Sequence, residues 1–180
     1  MFKRTLAIAL VVATLVMTGC VTPGAGLKSY ADTLDGYEFL YPNGWVSVKV
    51  AGGPDVVFHD LIEPTENVSV VFSPVPEEKS LAELGTPTEV GYQLSKKAIA
   101  PPDSGREAEL VNVDTKESKE KTYYLLEYAV TLPGNQHRHN LASVAVSRGK
   151  LFTFNISTTE DRWEKVGDRL QEVVRSFRVY

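Results

Sequence analysis

From Tyr123 to Ser157 apolar and polar residues alternate in three consecutive runs. Tyr124, Leu126, Tyr128, Val130 and Leu132 recur at every second position, the period of a strand with one face in a core. Pro133-Gly134-Asn135 supplies turn chemistry, Asn140 to Ser147 alternates again through Ala142, Val144 and Val146, and Arg148-Gly149 marks a second tight turn. Phe152, Phe154 and Ile156 make the third run. From Glu160 to Phe177 the period changes: Trp163, Val166, Leu170, Val173, Val174 and Phe177 return at threes and fours with charges between them. That spacing predicts an amphipathic helix laid on an antiparallel sheet.

The N-terminal half carries weaker versions of the same signals. Tyr37 to Tyr41 alternates as a strand, Pro42-Asn43-Gly44 turns the chain, and Trp45 leads a strand through Val46, Val48 and Val50. Asp55 to Asp60 and Asn67 to Ser73 are two further β-branched runs of a meander, closed by Pro74 and Pro76. Ser80 before Glu83 and Thr86 before Glu89 have capping-box spacing, and Pro87 suits a first helical turn, so a helix is expected from Pro87 to about Ile99. Pro101-Pro102 ends it. Ala108 to Val113 then reads as a strand leading through a polar hairpin at Lys116 to Lys121 into the three central runs. Strands with two covering helices make an α+β domain.

Composition changes this picture little. The chain has 180 residues, 43% hydrophobic and 23% charged, enough for one domain with a real core. A formal charge of -4 excludes nucleic acid as the expected partner, because such binding needs clustered cations. The first residues change it more. Lys3 and Arg4, an apolar run from Leu6 to Val16 and then Met17-Thr-Gly-Cys20 form a signal peptide over residues 1–19, too short for a comfortable membrane span. Thr18 and Gly19 before the only cysteine give a lipobox, so Cys20 is expected to carry a lipid anchor. Two acyl chains at one residue give stable membrane attachment. Residues 20–28 read as a tether of turn formers, and residues 29–180 as the domain. With one cysteine, no disulfide can form within the chain.

Tyr41-Pro-Asn-Gly-Trp45, Val57-Phe-His-Asp60 leading to Asn67-Val-Ser-Val70, Arg138-His139, Gly149-Lys150-Leu151, Arg162-Trp163 and Ser176-Phe177 resemble, in order, the PsbP family of photosystem II extrinsic proteins. The lipobox in front is similar to its cyanobacterial lipoprotein members. The resemblance spans about Tyr30 to Tyr180. It implies an α/β/α sandwich, a central antiparallel sheet with helices on both faces, on the lumenal side of the thylakoid membrane. Expected partners are photosystem II lumenal subunits or assembly intermediates, with the membrane reached through Cys20 and the protein itself monomeric. Plant members help retain calcium and chloride at the oxygen-evolving cluster. Their long N-terminal segment, which carries ion retention, is replaced here by an anchor and tether, so calcium ion binding stays a family association and direct calcium retention is not expected.

Nothing reads as an active site: no hydroxyl sits in an elbow motif and no glycine-rich loop joins a strand to a helix as a phosphate site requires. No cofactor is required. His137 and His139 share a strand face and could approach one divalent ion, although two ligands do not make a site. The resemblance adds a histidine–aspartate metal proposal from plant relatives that maps onto His139 and Asp161. Zinc or manganese bound there, with His137, is the alternative reading; Asp161 complementing the helix dipole is the plainer one.

Overall fold

The computed structural model describes residues 24–76 and 79–180; the expected leader and Cys20 lie outside them. Among the described residues ten strands form two antiparallel sheets. The larger has seven, in the order β3 (Trp45–Val48), β4 (Val56–Asp60), β5 (Asn67–Pro74), β9 (Lys150–Thr159), β8 (Gln136–Ser147), β7 (Lys121–Leu132) and β6 (Glu107–Ser118). The smaller comprises β1 (Leu27–Asp32), β2 (Tyr37–Pro42) and β10 (Arg178–Val179), in the order β1-β2-β10. The described residues also form two α-helices, α1 (Pro87–Leu94) and α2 (Glu160–Ser176).

The three alternating runs are β7, β8 and β9, joined by tight turns at Asn135 and at Arg148-Gly149, all with positive φ. The polar hairpin before them is tighter than its sequence suggested. β6 and β7 run on to Ser118 and Lys121, leaving Lys119 and Glu120 with positive φ in the turn. The expected helix from Pro87 keeps its capping box, Glu89 N–H donating to Thr86 Oγ1 at 3.3 Å and Thr86 N–H to Glu89 Oε2 at 2.8 Å. Its α-helical hydrogen bonding ends at Leu94, and Ser95–Ile99 continues as one wider π-helical turn before the prolines.

The smaller sheet adds a layer that the sequence reading did not describe. A strand begins at Leu27, inside the stretch expected to be tether, and the main-chain N–H of Gly24 donates to Glu172 Oε1 on α2 at 2.7 Å. Helices lie on both faces of the larger sheet, as expected, and the smaller sheet shares one of those faces with α2. Between these layers lies an aromatic core: Tyr37, Phe39, Phe152, Phe154 and Phe177 are all 1% exposed or less. Phe154 lies 4.6 Å from Phe39 and stacks on Phe177 at 5.1 Å, ring to ring. Lys116 of β6 donates through Nζ to the carbonyls of Arg175 and Phe177, satisfying the end of α2.

On the opposite face α1 lies over β6 and β7 and seals a second core around Leu126, Tyr128, Ala142 and Val144. Close approach is built in at Gly91, where a Cβ would sit 2.8 Å from Leu110 Cδ2. The phenol of Tyr128 donates to Gly91 O at 3.0 Å. Beyond α1 the outer face of β5 and β9, with the Arg138–Asn140 end of β8, stays open as a groove of about 820 Å³.

Candidate functional site

His139 is in β8, with Ala129 opposite on β7 and Thr158 opposite on β9. Glu127 lies two residues along β7 from Ala129, a diagonal cross-strand position on the same face, within reach of long side chains. Its Oε1 is 2.7 Å from His139 Nε2. On the other side β9 runs directly into α2, so Glu160 arrives beside the ring with Oε2 3.2 Å from Nδ1. Trp163, three residues further on the same helix face, stacks on the imidazole at 3.7 Å with the planes 9° apart. His139 is only 7% exposed. A neutral imidazole has one N–H to donate, and the imidazolium has one for each carboxylate.

The carboxylates that reach His139 are therefore Glu127 and Glu160. Asp161 is one residue past Glu160, about 100° further round the helix, and is exposed. It makes no ion pair or side-chain hydrogen bond among the described residues. His137 shares the His139 face, as period two requires, but stands in solvent with Nδ1 3.4 Å from Thr131 Oγ1. Glu127 had a signal in the sequence, a carboxylate interrupting an apolar strand; that it would face His139 depended on the β7–β8 register.

A second network braces the same helix start. Glu66, 3% exposed, receives Arg162 Nε at 2.6 Å and Nη2 at 3.2 Å, and Thr158 Oγ1 at 2.6 Å. The Glu66 carboxylate raises the Arg162 pKa further above its already high value. Asp60, at the end of β4, is pulled both ways. Burial opposes its ionisation, but hydrogen bonds from the Glu63 and Ile62 amides outweigh it and hold the carboxyl below its usual range.

Among the described residues one trio of ligating groups converges within 4.8 Å, Asp32, Asp35 and Asp55. Each already has a partner: Asp32 accepts from the Leu34 and Asp35 amides, Asp35 pairs with Lys150 Nζ at 2.7 Å, and Asp55 accepts from the Tyr37 phenol.

The family model PsbP matches residues 25–179. The chain is 52% identical over 184 residues to CyanoP of Thermosynechococcus vestitus, covering all of both chains. It is 48% identical over 188 residues to CyanoP of Synechocystis sp., again covering 100% of each. Its fold matches the solution structure of cyanobacterial PsbP (CyanoP) from Synechocystis sp. PCC 6803 with a TM-score of 0.75 at 48% identity, over 92% of this chain and 99% of that one.

Proposed function

Because the chain belongs to the PsbP family, we propose that it is a lipid-anchored accessory protein of photosystem II. It binds the photosystem or its assembly intermediates from the lumenal side of the thylakoid membrane and assists assembly or stability of the oxygen-evolving complex. The observation that carries this reading is the full-length identity to the two CyanoP chains, with no large insertion or missing segment to redirect the domain. Met17-Thr-Gly-Cys20 supports the anchor, and the family offers no catalytic activity to transfer, so the work proposed is binding.

Affinity isolation of the tagged chain from gently solubilised thylakoids, beside a Cys20→Ser control, tests the reading. Enrichment of incomplete reaction-centre complexes is expected, and loss of membrane retention in the control. An eluate without photosystem II subunits overturns the proposal.

A second reading, zinc or manganese binding or delivery at the photosystem, rests on His139 lying between two carboxylates. A metal there would displace Glu127 or Glu160 from a ring nitrogen, with the exposed His137 and Asp161 available only after side-chain rotation. Calorimetric titration with zinc should then weaken at least tenfold in His139→Ala and in Glu160→Ala; unchanged affinity in both rejects this reading.

A further inference from the structure

The open groove on the outer face of the larger sheet has a polarity gradient written by strand register. Across one row lie Asn67, Ser157 and Asn140; two steps along each strand lie Ser69, Asn155 and Ala142; two more bring Val71, Thr153 and Val144. Arg138 extends the polar end, and Leu94, Ile99 and Leu151 wall the apolar end. β5, β8 and β9 are each paired on both sides, so the floor presents side chains and no free main-chain edge.

Three cations line this space, Lys97, Arg106 and Arg138, and none has a carboxylate within 4 Å among the described residues. Arg138 is built in: Nε donates to Ser157 Oγ at 2.8 Å, Ser157 Oγ donates to Asn140 Oδ1 at 2.7 Å, and Nη2 donates to Thr65 O. Burial lowers its pKa, with the nearby Glu63 and Glu66 opposing and Arg106 adding to the effect. In a chain of net charge -4, this cationic end is locally reversed. Asn155 Oδ1 is buried in the floor without a partner.

We propose that this groove binds an anionic amphiphile, its acyl chain over Val71 and Leu151 and its head group at Arg138 and Arg106. The volume lies within the range of about 300–1,000 Å³ typical of small-ligand sites, and the mix of apolar wall and few placed polar groups is theirs too. A peptide fits less well, because its main-chain amides would cross the apolar end with no partners. The site is on the face of the sheet opposite α2, where Gly24 is held. The proposal does not rest on the photosystem reading.

The test is titration of the purified chain in detergent-free buffer with palmitate below its micellar concentration. The readouts are calorimetry and the side-chain amide resonances of Asn67, Asn140 and Asn155. Saturable one-to-one binding that shifts these amides is expected. Charge-assisted hydrogen bonds set the head-group contribution, so hexadecanol and the exposed-rim double variant Lys97→Gln/Arg106→Gln should each bind about tenfold more weakly. Val71→Glu should abolish binding while thermal unfolding stays cooperative. Equal affinity for the alcohol, shifts elsewhere on the surface, or binding of an acidic peptide and no palmitate would each overturn the proposal.

Discussion

The two faces of the seven-stranded sheet are made by the same strands and finished differently. The face toward α2 carries rings packed edge to ring and stack to stack, closed by a second sheet; the face toward α1 is sealed over β6, β7 and the middle of β8, and runs into serine, threonine and asparagine over β5 and β9. One sheet thus divides its labour. The sealed face holds the fold, and the open face keeps polar side chains that a core would exclude.

Substitutions that read the same in sequence should therefore part company by face. Phe154→Ala, on the sealed side, leaves a void between Phe39 and Phe177 and should cost about 3–5 kcal/mol in chemical denaturation. Gly91→Ala comes next: alanine favours helix, yet its Cβ would press on Leu110 and Leu126, so a loss of about 1–3 kcal/mol is expected. A gain in melting temperature would show that α1 rides loosely. Tyr128→Phe removes one buried hydrogen bond and should cost about 1 kcal/mol. Thr153→Val, at the groove floor, should move stability by no more than about 0.5 kcal/mol.

Alkali sharpens the same contrast. Burial raises the phenol pKa of Tyr128, and burial followed by the hydrogen bond to Asp55 raises that of Tyr37. A phenol whose pKa is raised on folding contributes stability that is whole below about pH 10, its unfolded value, and is lost as pH climbs toward the folded value. Denaturant midpoints should fall between pH 9 and pH 11 by more than about a tenth of their value, and less steeply in Tyr128→Phe.

How much of this was legible in the chain varies with the range of the contacts. β7, β8, β9 and α2 were readable because each carries its own period, and adjacent runs pair through turns whose residues announce them. β1 was not: Leu27-Lys-Ser-Tyr-Ala-Asp has little alternation, and its strand character comes from pairing with β2. The family resemblance carried the architecture further than periodicity did, yet the small sheet was in neither. At the candidate site, the sequence named His139 but not the two carboxylates beside it, Glu127 and Glu160. Glu160 and Asp161 are neighbours in sequence, and only the angle at which β9 enters α2 decides which one faces the ring.

The smaller sheet also imposes an order in time. β2 takes β1 as one neighbour almost as soon as both are made, but its other neighbour, β10, is synthesised about 140 residues later. At ~5–20 residues per second the ribosome needs on the order of ten seconds to supply it. Until then Tyr37 and Phe39 lack Phe177 and Val179, and the aromatic layer cannot close. A chain that cannot close early stays threadable, which is the condition a polypeptide must keep if it is to pass through a membrane channel before it folds.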